Sequence, residues 1–138
     1  MGDIADLPAV RTQTDVLDRW RLMMGPGGFG RRSLWVVWFD AQGVQGPVVV
    51  PVDDIPLEPD DETVSAIVGL ARGVLDEHAP GGSVSLALSR PGPTSTRPAD
   101  RAWARSLVRC AEAARLPLRC VHLATCDSVH QFTLDDVL

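Results

Sequence analysis

One stretch constrains this chain more than any other. From Ser83 to Phe132 an apolar run, VSLAL, gives way to the loop SRPGPTSTRPAD, a helical pattern, a second apolar run and a short hairpin. Val84 to Leu88 lacks clean alternation, which suits a strand covered on both faces. Pro91, Pro93 and Pro98 each fix φ and remove an N–H donor, so neither helix nor ladder continues through the loop. Pro98 suits the first helical position. Asp100 then falls in the first turn, where a carboxylate meets free N–H groups and the positive end of the helix dipole. Trp103, Leu107, Cys110, Ala111 and Ala114 recur at spacings of three and four and predict one buried face. Arg101, Arg105, Arg109 and Glu112 lie outside it. Leu116-Pro117-Leu118 ends the helix, RCVHLA returns as a strand, and Thr125 to Ser128 turns the chain into VHQF as an antiparallel edge. So short a return favours parallel pairing of the two strands through a crossover helix.

The rest of the chain supplies partners for that unit. Residues 1–13 read as a flexible lead-in to a single domain over residues 14–138. Thr14-Asp15 predicts the cap of a helix whose apolar stripe is Val16, Leu17, Trp20, Met23 and Met24. SLWVVWFD and PVVVPV are β-rich runs joined by AQGVQG, a hairpin signal, with Trp35 and Trp38 on opposite faces and Pro51 marking an edge. DDIPLEPDDE has carboxylates enough for a cation but no calcium-loop spacing. It reads as a solvated loop whose Asp60, Asp61 and Glu62 favour the start of a helix. That helix turns Val64, Ile67, Val68, Ala71, Val74 and Leu75 inward and ends near His78, where an imidazolium would suit the dipole. The expectation is an α/β domain with a central mixed sheet of about five strands flanked by three helices, in the order α-β-β-α-β-α-β-β.

Composition narrows the function classes. A chain of 138 residues, 45% of them hydrophobic, can build one ordinary core. No run of about 18 apolar residues spans a membrane. MGDIADLPAV has neither the basic start nor the apolar core of a secretory signal, and three cysteines without a CxxC argue for a reducing cytoplasm. A net charge of −5 disfavours nucleic acid as a partner. All thirteen basic residues are arginine, and Lys, Asn and Tyr are absent. Their codons are AT-rich, so the bias reads as a GC-rich bacterial genome rather than selection for arginine clusters.

The layout of strand, proline-rich loop, Asp100 in a first helical turn, strand and closing hairpin resembles the C-terminal half of RadC-like JAB/MPN domains. The upstream order of elements extends the resemblance over most of the chain. It implies the fold above and a zinc site of pattern His-x-His, then Ser-x-x-Asp. With Asp100 as the motif's aspartate, an ungapped count puts Ala87 and Ser89 at the histidines and Arg97 at the serine. A shift of one puts Leu88 and Arg90 at the histidines. Zinc needs about three N, S or O ligands from the protein, and neither register supplies them. The resemblance therefore implies a family member without the metalloprotease activity.

Other candidate sites are sparser. GPGGFG (Gly25 to Gly30) satisfies GxGxxG, but it follows a helix and precedes a strand, the reverse of a dinucleotide-binding order. Arg90, Ser95, Thr96, Arg97 and Arg101 surround a helix start and could hold a phosphate or carboxylate. Cys120, His122, Cys126 and His130 fall within one presumed hairpin, with His130 able to sit opposite His122, and together could hold zinc as a cofactor. Ser89 and Ser95 lack a nucleophile elbow, and His78, His122 and His130 have no evident positioned carboxylate. The expected function is a noncatalytic protein-interaction module, a JAB-like pseudo-enzyme that forms a homodimer through an edge strand or an exposed Trp face. The alternatives are a metal-dependent hydrolase or isopeptidase with a noncanonical zinc site, and a small anion- or nucleotide-binding regulator.

Overall fold

A computed structural model describes residues 7–24, 30–93, 95–125 and 128–137. The elements are α1 (Gln13–Met24), β1 (Ser33–Phe39), β2 (Gln45–Asp53), α2 (Asp61–His78), β3 (Ser83–Ser89), α3 (Pro98–Ala113), β4 (Leu118–Ala124), β5 (Val129–Gln131) and α4 (Leu134–Val137). They form one small α/β domain whose five strands make a single mixed sheet in the order β2-β1-β3-β4-β5. A fourth, one-turn helix at the C-terminal end adds to the three expected. β3 and β4 pair in parallel, joined by α3; every other neighbouring pair is antiparallel.

The central strands read as continuous apolar runs because both sheet faces are covered. On one face Leu34, Val36, Trp38, Val84, Leu86, Leu88, Val121 and Leu123 pack under α2 and α3, through Ile67, Ala71, Trp103 and Leu107. On the other, Val37, Phe39, Ala87 and Ala124 pack under Val16 and Trp20 of α1. Trp38 and Trp35 face opposite layers, Trp38 donating to Ala71 O at 2.9 Å and Trp35 to Ser89 Oγ at 2.9 Å. β3 is less uniform than its apolar look. Ser85, Ala87 and Ser89 are the small residues of its α1 face, and Ser85 Oγ accepts from Trp20 Nε1 at 2.8 Å. Small side chains there leave room for the two indoles, and their hydroxyls satisfy the indole N–H groups.

β4 departs from regular pairing. Val84 faces Leu118 and Leu86 faces Val121, so Arg119 and Cys120 together oppose Ser85 as a β-bulge. The extra residue explains why Leu118 and Val121, three apart, both pack on the α3 side. β2 is an edge strand, only partly buried, and it carries Pro47 and Pro51. Proline is tolerated there because its missing N–H can face outward.

Helix starts follow capping chemistry, with one shift from expectation. α1 is capped by Thr12 rather than Thr14: Thr12 Oγ1 accepts from Asp15 N at 3.1 Å, while Asp15 Oδ2 accepts from Thr12 N at 3.0 Å. The reciprocal pair satisfies two orphan donors at once. Residues 8–12, expected as part of the lead-in, are tied to the fold. Val10 is buried and donates to Gly43 O at 2.8 Å, and Arg19 donates to Pro8 O. Gly43 holds φ 82°, and a Cβ there would lie 2.0 Å from Val10 O, so only glycine admits the crossing segment. α2 is capped by Asp60, which accepts from Thr63 N at 3.1 Å.

Trp103 joins the α3 layer to the acidic loop before α2, donating to the carbonyls of Pro56 at 3.0 Å and Leu57 at 3.1 Å. It is fully buried. Trp103→Ala is expected to lower unfolding stability by about 3–5 kcal/mol, measured by urea denaturation against the native chain.

Candidate functional site

The crossover from β3 to α3 opens a loop at the carboxyl ends of the two parallel strands, where α/β sheets commonly carry sites. Arg90 leaves β3 there, its N–H donating to Ala124 O at 3.1 Å at the end of β4. Its side chain has no exposure to solvent. The guanidinium grips Asp100 side-on, Nε lying 2.9 Å from Oδ1 and 3.1 Å from Oδ2, with Nη2 at 2.8 Å from Oδ2. The remaining donors go to the proline loop: Nη1 to Pro91 O at 3.1 Å and Pro93 O at 2.9 Å, Nη2 to Ser95 O at 2.9 Å. Every N–H of the fork therefore has an acceptor inside the protein. One cation solves two problems, a buried carboxylate and loop carbonyls that no ladder can satisfy.

Asp100 is completed from two further directions. The backbone N–H of Arg97, the residue before α3, donates to Oδ2 at 2.9 Å. Arg32, immediately before β1, brings Nη1 to 3.5 Å from Oδ1, and that buried nitrogen has no hydrogen-bond partner. Burial alone would raise the pKa of Asp100. Arg90, the Arg97 N–H and Arg32 outweigh it and hold the carboxyl below its ordinary value, so it is ionised at neutral pH.

A second polar contact lies on the same loop. Thr96 Oγ1 is 3.2 Å from His130 Nε2, which links the loop to β5. Burial holds the His130 imidazole below its ordinary value, although the carboxylates of Asp136 and Asp100 pull the other way. Arg101 Nε pairs with Asp136 Oδ1 at 3.2 Å, fastening α3 to α4.

The five residues expected to bind an anion are thus neighbours, but their chemistry points inward. Arg90 spends its fork on Asp100 and three carbonyls, Ser95 offers its carbonyl to that fork, Thr96 meets His130, and Arg101 is paired with Asp136. Arg97 supplies a backbone donor, and its guanidinium lies beside Gly92, where an added Cβ would stand 3.2 Å from Nη2. The cluster is built around an internal anion, so Arg90 is not an open phosphate ligand.

The Cys/His proposal needs correction on geometry. β5 pairs His122 with Gln131 and Leu123 with His130, so His122 and His130 face opposite sides of the sheet. A one-residue difference in register separates them. Cys126 and most of the glycine run, Gly25 to Phe29, lie outside the described residues. Among the described residues no three His, Cys, Asp or Glu side chains come together to hold a metal.

Nor do the residues fit the zinc that the JAB/MPN resemblance implies. Ala87 is buried on the α1 face and Ser89 Oγ accepts from Trp35; Leu88 is in the α2–α3 core. The remaining motif positions are Arg90 and Arg97, both cations. Asp100 has no oxygen left that is not facing a guanidinium or N–H. Sequence reasoning missed Arg32 and the Arg90 fork. The signal for the latter was present: an arginine between a buried strand and a run of prolines is the residue with most donors placed where most carbonyls lack partners.

No family model matches the chain, and no curated protein matches it either.

Arg90→Met leaves the Asp100 charge buried beside Arg32 alone. It is expected to cost about 3–5 kcal/mol in chemical denaturation, whereas Arg90→Met with Asp100→Leu costs less than the sum of the single changes. Because the folded pKa of Asp100 is depressed, its stabilisation is present above the unfolded value and lost as pH falls through the folded one. Asp100→Asn should therefore flatten the loss of stability below about pH 4.

Proposed function

We propose that this chain is a noncatalytic protein-interaction module, a RadC-like JAB/MPN pseudo-enzyme in which an arginine stands where the family holds its metal. The observation that carries the reading is the side-on Arg90–Asp100 pair. The one motif carboxylate on this scaffold has both oxygens engaged by protein cations. A guanidinium is a permanent charge with fixed donors and no acid–base role at neutral pH. It gives the loop and the start of α3 a rigid form without providing a Lewis acid or an activated water. The element order and the α3 crossover are what a JAB-like build requires, and among the described residues no three His, Cys, Asp or Glu side chains gather at Asp100 to hold a metal, which argues against hydrolysis at this point.

In this reading the module works by presenting surface, first of all to a second copy. The β1–β2 half of the sheet offers half-buried Trp35 and Val49, with Val48 exposed at the edge. Pro47 and Pro51 withhold donors along β2, so a homodimer would meet through that face rather than by strand addition.

The test is metal content, activity and self-association together. Protein purified from zinc-supplemented medium is expected to carry far less than one zinc per chain and to show no peptide or isopeptide hydrolysis. Its melting temperature should not change with chelator, and sedimentation equilibrium should show a concentration-dependent dimer. Stoichiometric zinc with hydrolysis that Asp100→Asn abolishes would replace this reading with the metal-dependent hydrolase.

A further inference from the structure

His122 takes no part in the Asp100 network, yet it is fully enclosed. It sits in β4 on the face that α1 covers, between Ala87 of β3 and Gln131 of β5. Its ring centroid lies 6.3 Å from that of Trp20 on α1, tilted by 43°. Both ring nitrogens are buried without a hydrogen-bond partner. A neutral imidazole carries one donor and one acceptor, so leaving both unmatched is costly and leaving an imidazolium there is costlier still.

The charged groups around it make the position worse for a proton. From α1 comes Arg21, whose Nε donates to Val129 O at 3.4 Å and whose charge is partly answered at the surface by Asp18 at 3.7 Å. From β5 comes His130, itself basic. β4 itself adds the Cys120 thiol, which burial keeps protonated, and the Arg119 guanidinium, 5.7 Å from the centre of the Phe39 ring. β3 contributes Ser85, Ala87 and Ser89 on this face, and β1 Trp35, Val37 and Phe39, none of which carries a charge. Burial, with His130 and Arg21 adding to it, takes the His122 pKa down from 6.5 to about 4, against a weaker pull from the backbone of Leu86 and Cys120. Among the described residues, no carboxylate is one of the groups that chiefly act on it.

α1 is the element this arrangement bears on. It is held by Val16 and Trp20, by the Trp20–Ser85 bond, and by Arg19 Nη1 to Gln45 Oε1 at 2.7 Å. α2 and α3 pack on the other face with a separate and larger core. We propose that His122 is an acid-sensitive latch: protonation of its ring releases α1 from the sheet while the α2–α3 layer stays folded. Release uncovers the apolar strip of Val37, Phe39, Ala87 and Ala124.

The sign follows from linkage. With α1 released the imidazole reaches water and recovers its ordinary proton affinity, so the released form binds the proton more tightly than the docked form. The docking equilibrium then weakens by up to about tenfold per pH unit below the ordinary value of histidine, until the docked form also protonates.

The experiment is amide and imidazole NMR of the full chain from pH 7.5 to 4.5. The expected result is that amide signals of residues 13–24 move to unstructured positions with the same midpoint as the His122 ring, while those of α2 and α3 persist. In His122→Phe, and in His122→Gln should the first variant not fold, the α1 signals stay in place over the range. The latch is overturned if α1 stays docked throughout in the native chain. It is equally overturned if α1, α2 and α3 are lost together, if ring and helix titrate at separate midpoints, or if a folded variant releases α1 at the same pH.

Discussion

A carboxylate sealed from water must be matched, and the matching of Asp100 organises the end of the sheet where β3, β4 and β1 converge. Arg90 arrives from β3, Arg32 from the start of β1, and the Arg97 N–H from the threshold of α3. Two consecutive elements, β3 and α3, and the distant start of β1 are brought to one ion. The same guanidinium gathers the carbonyls of Pro91, Pro93 and Ser95, so the proline loop takes its shape from the pair rather than from a ladder. Such a pair contributes little net stability compared with apolar residues of equal volume, but the loss of one partner is severe. Its effect here is conformational: it specifies one path for a loop that has few backbone donors of its own.

The arrangement also separates rigidity from chemistry. A metal in this position would fix the loop and activate a substrate. A guanidinium does the first without the second, because its charge is permanent and its donors are spent. The loop at the head of α3 is therefore held in one form while the Arg90 fork and the Asp100 carboxylate face inward.

Much of the fold was legible from residues. The two-faced strands announced themselves in SLWVVWF and VSLAL, the stripe of α2 gave its buried face, Trp103, Leu107 and Ala111 gave that of α3 although Ala114 is exposed at its end, and Pro98 with Asp100 placed a helix start. What escaped did so for identifiable reasons. The cap at Thr12 lost to Thr14 because two threonines stand two apart and only the reach of Asp15 separates them. The anchoring of Val10 depends on Gly43, over thirty residues away, which no local pattern carries. The partner of Asp100 was masked by composition: among thirteen arginines, only the place of Arg90 between an apolar strand and a run of prolines set it apart. The relation of His122 to His130 rested on hairpin register, and a one-residue slip exchanges faces.

That last point reaches further through the bulge in β4. Arg119 and Cys120 share one place opposite Ser85, so the strand before them and the strand after them are out of phase by a residue. Leu118 and Arg119 alternate in one frame, Val121 and His122 in the other. The single surplus residue is what sends His122 beneath Trp20 instead of into the aliphatic layer under Trp103. The protein thus uses an interruption in its own periodicity to bring a basic ring opposite Ala87, where a regular strand would have delivered Val121.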